Sequence, residues 1–289
     1  MDNPAADSSC PFRHRRPQSI TYFRPRPGGL NAVFLSEPSE TQFDLRFWLF
    51  GVHVRVHPFF WLVTIFLGWD LVGGAPDQRT GLIHLGLWII CVFLSILIHE
   101  MGHVFMGRLF GSHGHIVLYS FGGIAIGSNA LDRGWQRFLV LFAGPLIQFV
   151  FLGVAVMAFI FLYPKLPQAW HDPARMMLAF LIWINLVWAV LNLLPIWPLD
   201  GGQMAREVFV GLTPRNGAYI SFGISACVAG VLAVLCLMAA SGRPLIPYLP
   251  GDMYMALFFG YFCYLSFQGL QAENARRQRF RDDEFPWER

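Results

Sequence analysis

The chain has 289 residues, of which 55% are apolar, 16% aromatic and only 13% charged, against about 25% charged residues in an ordinary soluble domain. That balance excludes a typical soluble globular protein and points to an integral membrane protein. The net charge of +3 is small, and the arginines gather toward the two ends of the chain rather than in a stripe interleaved with aromatics, which argues against a nucleic-acid surface.

Residues 1–43 are rich in Pro, Arg and Ser and carry no sustained apolar period, so they are expected to form a disordered cytoplasmic tail. No apolar core ahead of a small-residue cleavage site is seen there, and cleavage for secretion is not expected. The stretch LFGVHVRV, residues 49–56, predicts a strand leading into a membrane helix at Pro58. Six apolar segments long enough to span then follow, at about 58–74, 82–110, 136–163, 176–195, 217–240 and 252–271. The expected architecture is an all-α polytopic membrane protein of about six transmembrane helices with a small membrane-associated β-hairpin or sheet. Residues 44–271 would form this domain and 272–289 a charged cytoplasmic tail.

Basic residues orient the chain. With the N-terminus in the cytoplasm, 17 of the 21 Lys and Arg residues fall on the cytoplasmic side and four (Arg79, Lys165, Arg175, Arg243) on the other. Both termini are therefore expected in the cytoplasm, which an even number of spans allows. Of the five cysteines, Cys10, Cys91, Cys227, Cys236 and Cys263, four lie in apolar runs without metal-ligand spacing and read as packing residues.

One segment fits neither a spanning helix nor an ordinary loop. GHIVLYSFGGIAIGS, residues 114–128, is too short to cross as a helix and has two glycines at its centre, so it reads as a hairpin dipping into the protein interior. Non-helical backbone at membrane depth is tolerated only where protein or a water-filled cavity covers it.

The most informative stretch is LSILIHEMGH, residues 94–103, where His99, Glu100 and His103 interrupt an apolar run. Residues four apart lie one turn apart on the same helix face. HExxH thus sets two imidazoles and a carboxylate where they can bind zinc and serve a water beside it. A carboxylate at the centre of a membrane helix costs about 2.5–3.5 kcal/mol on insertion scales, so such residues usually face the interior and have a function. A polar cluster gluing helices together is the bland alternative. Catalytic zinc takes a third protein ligand. The preferred candidate is Asp200 in LNLLPIWPLDGGQ, residues 191–203, where Pro195 and Pro198 break the apolar span and Gly201 and Gly202 allow close backbone approach. An N-cap role for Asp200 is its structural alternative. Asp70 is the competing carboxylate, near the far end of the first span.

HEMGH at 99–103 followed by NLLPIWPLDGG at 192–202 resembles the site-2 proteases, the intramembrane zinc metalloproteases. The likeness runs from LFGVHVRVHP through FGG at 121–123 and AGP at 143–145 to GLT at 211–213. It implies one Zn2+ per chain held by His99, His103 and Asp200, with Glu100 as general base and Asn192 stabilising the oxyanion. It also implies a membrane-anchored protein substrate, no nucleic acid, a lipid bilayer, and a place in a bacterial inner membrane. Gln148 stands where many members have Asn, and the short loops leave no room for a PDZ or CBS domain, so the chain resembles the compact six-helix branch. Regulation would then come from a membrane partner or from the tail.

The expected reaction is hydrolysis of a peptide bond within or next to a transmembrane helix, releasing a cytoplasmic fragment. The hairpin would grip the unwound substrate by strand addition, with Phe121, Gly122, Gly123 and Ile124 as binding residues. Rival readings are a protease with an internal chamber, a catalytically silent membrane protein that binds helices or metal, and a metal transporter. Glu100 gives the silent reading no support, and a transporter would spread its polar residues along a pathway.

Overall fold

The computed structural model describes residues 38–120, 122–243, 245–246 and 251–284, with side chains to residue 278. Cys10 and most of the expected N-terminal tail lie outside these residues, as does Phe121.

Strands β1 (Leu45–Leu49), β2 (Val52–Val56), β3 (His115–Tyr119) and β4 (Gly122–Ile126) form one sheet in the order β1–β2–β3–β4. β1 and β2 are antiparallel, β2 and β3 parallel, and β3 and β4 antiparallel, with Tyr119 opposite Gly122. The single strand expected over 49–56 is thus a hairpin. Gly51 turns the chain at φ +71°, and the Arg108 guanidinium donates to the carbonyls of Phe50 and Gly51. Along β2 the side chains alternate: Val52, Val54 and Val56 enter the core with Ile96, Leu97, Met101 and Val104. On the opposite face, Arg55 donates to the Asp44 carboxylate at 3.1 Å and to the Pro38 carbonyl at 2.9 Å. The folded unit therefore includes residues from Pro38, upstream of the expected boundary at 44. Burial pulls the Asp44 carboxyl upward, but the Thr41 hydroxyl and amide and the Arg55 guanidinium outweigh it and hold it below its ordinary range.

A parallel pair needs a crossover. Here it is helical: α1 (Pro58–Gly68), α2 (Asp70–Gly73) and α3 (Gln78–Leu109) carry the chain from β2 to β3. Pro58 opens α1 with His57 as cap, its Nδ1 accepting from the Phe59 amide at 3.1 Å. Asp77 caps α3 by accepting from the Thr80 amide at 3.0 Å. Next come α4 (Gly134–Met157), extended by a π-helical turn, α5 (His171–Leu193), α6 (Asp200–Leu212), α7 (Gly217–Ala240) and α8 (Met253–Glu284).

Among the described residues, five helical segments are long and apolar enough to cross a membrane: Gln78–Leu109, Gly134–Lys165, Gln168–Leu193, Gly217–Ala240 and Met253–Gln278. The first of the six expected spans is shorter, Pro58–Gly73, because Asp70, Gly73, Gly74 and Pro76 cut the apolar run short. α8 continues to Glu284, so the segment expected as a tail from 272 begins as helix. Its Gln, Ala, Glu and Arg residues all favour that state.

The packing suits a bilayer. Leu62, Phe66, Val150, Val154, Trp183, Val231 and Leu257 are more than half exposed, whereas Ser95, Gln148, Asn185, Ser225 and Ser266 are fully buried. Helices gain little in lipid from burying apolar surface against one another, so buried hydrogen bonds join them. Asn185 on α5 donates to Ser95 Oγ on α3 at 2.9 Å.

Candidate metal centre

His99, Glu100 and His103 occupy consecutive turns of α3 and are 3–5% exposed. Their potential ligand atoms lie within 4.8 Å of one another. The imidazoles meet edge to face with 4.7 Å between ring centroids. Gly144 on α4 makes room for them, since a Cβ there would stand 2.4 Å from His103 Nε2 and 2.9 Å from His99 Cε1. Next to it, Pro145 lacks an N–H and loosens the α4 ladder. One turn earlier, the Val140 carbonyl accepts from His103 Nδ1 at 2.8 Å.

Asp200 arrives from the other half of the chain. Two motif glycines permit the approach: a Cβ on Gly201 would lie 2.3 Å from the Leu193 carbonyl, and one on Gly202 2.4 Å from that of Ile196. The loop before Asp200 is pinned from α7, where Ser225 Oγ accepts from the Trp197 amide at 3.2 Å and donates to the Pro195 carbonyl at 3.0 Å. Asp200 is the first residue of α6, and Leu199 takes the cap position without a side-chain bond. The N-cap alternative for Asp200 is therefore not what the structure contains. Its Oδ2 lies 3.0 Å from His99 Nε2 and 3.4 Å from His103 Nε2. Asp70 is exposed at the start of α2, beside the opposite end of α3 from the imidazoles.

The protons of this cluster can be assigned from its partners. The Val140 carbonyl can only accept, so His103 carries its proton on Nδ1. Gln148 Oε1 stands 3.0 Å from His99 Nδ1 and requires the same tautomer. Both Nε2 atoms then present bare lone pairs, 3.1 Å apart. The buried Asp200 Oδ2 that faces them has no hydrogen-bond donor. Three acceptors converging in a buried space repel one another unless a cation sits among them. Two imidazoles and a carboxylate form a donor set that zinc accepts, and one with a place left for water. The residues fit the ion.

Glu100 is within reach of the same space but is placed differently. It packs on β4, where a Cβ on Gly123 would fall 2.3 Å from Glu100 Cγ. A cavity of about 300 Å³ opens over this group. His99, Glu100, His103, Asp200 and Asn192 all line it, as do Gly122, Gly123 and Ile124 of β4. Trp188, Phe258 and Phe262 contribute apolar walls. The expected hairpin is present, and β4 is the last strand of the sheet, with no strand on its outer side among the described residues.

Two contributors were not assigned to the site from sequence. Gln148 was noted only as a departure from the resembled family's Asn, although it stands in an apolar run where the cost argument that singled out Glu100 applies equally. The Val140 carbonyl is backbone and has no signal in the sequence.

A buried, metal-fitting HExxH–Asp cluster inside a bundle of membrane-length helices defines the class: a membrane-embedded protein built as a metallopeptidase. Residues 164–237 match the profile of Peptidase family M50, a stretch that contains Asn192 and Asp200. The chain is 30% identical over 186 residues to Rip2 of Mycolicibacterium smegmatis, covering 51% of this chain and 69% of that protein. It is 29% identical over 248 residues to sll0528 of Synechocystis, covering 79% and 59%. It is 25% identical over 193 residues to Zinc metalloprotease MJ0392 of Methanocaldococcus jannaschii, covering 66% and 52%. The chain thus spans between half and three fifths of the length of the last two relatives. No solved structure matches it. The chain belongs to Peptidase family M50, the site-2 proteases.

Proposed function

We propose that the chain is a zinc-dependent intramembrane endopeptidase that hydrolyses a peptide bond within or beside a transmembrane helix of a membrane-anchored protein. The observation that carries this reading is the convergence of two imidazole lone pairs and the Asp200 carboxylate next to Glu100 and β4, the last strand of the sheet among the described residues. The similarity to Zinc metalloprotease MJ0392 supports zinc as the ion.

His99 Nε2, His103 Nε2 and Asp200 Oδ2 would hold the zinc. When bound, zinc supplies Lewis-acid chemistry, lowering the pKa of water to about 7 and polarising a carbonyl. Glu100 accepts the proton of the attacking water on its carboxylate and returns it to the leaving amide nitrogen. Asn192, on the cavity wall, donates from its side-chain amide to the oxyanion, a contribution of about 2.7–4 kcal/mol for one donor in other proteases. The aromatic walls exclude bulk water and hold the substrate's apolar side chains.

A helical peptide bond is shielded by its own turns, so the substrate must present extended backbone. In an antiparallel pair alternate residues exchange their bonds, so every second residue of β4 keeps its N–H and C=O for the outer edge. Strand addition there gives grip without demanding a particular sequence. Proline introduced in β4 at positions other than Gly123, where a side chain would strike Glu100, is expected to lower kcat/KM about 2- to 10-fold per donor removed. Alanine at Ile124 should have a smaller effect. Equal tolerance of both in a cleavage assay would leave the hairpin as packing only.

The cut is expected toward the cytoplasmic end of the substrate span. His103 is six residues from the end of α3 at Leu109, about 9 Å at 1.5 Å per residue. That end carries Arg108, and the excess of basic residues on that side supports the reading that it is cytoplasmic together with both termini. Opening a helix in lipid leaves backbone groups without partners at several kcal/mol each, so cleavage should favour Gly, Pro, Asn or Ser sites. Mass spectrometry of fragments from a single-span substrate tests this. Cuts clustered in the extracytoplasmic half would overturn the orientation, and indifference to replacing those residues with Leu would show that unwinding does not limit the rate. A released cytoplasmic fragment suits regulated intramembrane proteolysis.

A further inference from the structure

The two imidazoles are held in their tautomer by different means. His103 leans on the backbone carbonyl of Val140, which any residue at position 140 would supply. His99 depends on a side chain, Gln148 Oε1, at 3.0 Å. Gln148 lies on α4 three residues after Pro145 and is 0% exposed. Its amide is used by halves: the oxygen meets His99, while the buried Nε2 has no hydrogen-bond partner. An amide with an idle donor is a poor choice for packing between helices, where Met or Leu would fill similar space without a polar atom. The acceptor half explains its presence. With the amide reversed or removed, His99 loses the partner that keeps its proton on Nδ1, and Nε2 is no longer fixed as a lone pair toward His103 and Asp200.

We infer that Gln148 is a positioning residue for the metal centre: it orients His99 and fixes the tautomer whose Nε2 faces the ion. This rests on the zinc reading above. Groups that orient a ligating imidazole typically change metal affinity by 10–100-fold when lost. Met keeps the length of Gln without its acceptor, whereas Glu keeps the acceptor and removes the idle donor.

The experiment uses the full chain purified in detergent, loaded with zinc or with Co2+ as a spectroscopic probe. Gln148→Met is expected to raise the zinc Kd about 10- to 100-fold in chelator competition and to shift the Co2+ absorption bands. Its metal-free form should stay folded and melt close to metal-free wild type, because removal of the unpartnered Nε2 donor offsets the loss of the acceptor for His99 Nδ1. Gln148→Glu should bind zinc at least as tightly as wild type, with Co2+ bands close to those of wild type. The inference is overturned if Gln148→Met binds zinc within about twofold of wild type, if Gln148→Glu is weakened as much as Gln148→Met, or if metal-free Gln148→Met loses its fold, which would make the role structural. The zinc reading fails separately: in that case wild type takes up no zinc, or Asp200→Ala keeps it. Zinc lost in Asp200→Ala but retained at full affinity in Gln148→Met would sink only the positioning role.

Discussion

Glu100→Gln is expected to stop cleavage while leaving one zinc per chain. Gln matches Glu in volume, and the site leaves little space for anything larger because β4 closes over the side chain at Gly123. The substitution therefore preserves the packing of α3 against β4, and it leaves His99, His103 and Asp200 untouched. What it removes is the ability to accept a proton from water and pass it on. General acid–base assistance is typically worth 10²–10⁴-fold, so kcat should fall by about that factor or more, since one group serves both transfers. Metal analysis alongside cleavage of a single-span substrate separates the two effects. Activity near wild type would mean that another group is the base, and loss of zinc together with activity would make Glu100 a ligand.

Asp200→Ala should empty the site. It takes away one of three converging donors and leaves two imidazoles, so zinc affinity should drop about 100-fold or more, beyond what loss of an orienting group alone costs. Cleavage should disappear with the metal. The fold should survive, because removing a carboxylate from the first turn of α6 forfeits only about 0.3–1 kcal/mol of helix-dipole interaction. Asp70→Ala serves as the control: Asp70 is exposed, and its loss should leave zinc at one equivalent. The reverse result, with zinc kept in Asp200→Ala and lost in Asp70→Ala, would overturn the ligand assignment.

These expectations show which parts of the site a linear sequence carries. His99, Glu100 and His103 were legible because a helix sets residues four apart on one face and because lipid makes each polar group costly. The hairpin at β3–β4 was legible from its length, its central glycines and its alternation. The β1–β2 hairpin was read as a single strand because Phe50 sits at its turn, where polar or glycine residues are usual. α6 was anticipated only through the N-cap alternative for Asp200, since its amphipathic pattern follows directly on the GG of the motif. The first apolar segment, expected at 58–74, is present as Pro58–Gly73, but a run of apolar residues does not reveal that Asp70–Gly73 forms a separate short turn.

By itself, the sequence determined the class of the protein, the helix count to within one short segment, and the residue types able to hold zinc, since all of these follow from periodicity and from the solvent each stretch can tolerate. Only the tertiary structure brought Asp200, already preferred over Asp70, against the imidazoles, showed that Gln148 and the Val140 carbonyl leave both Nε2 lone pairs free, and put β4 at the end of its sheet among the described residues. The physical reason is range. Periodicity and insertion cost act between neighbours in the chain, whereas the approach of residue 200 to residue 99 depends on how closely separate helices pack, and a backbone carbonyl contributes its lone pairs whatever side chain it carries.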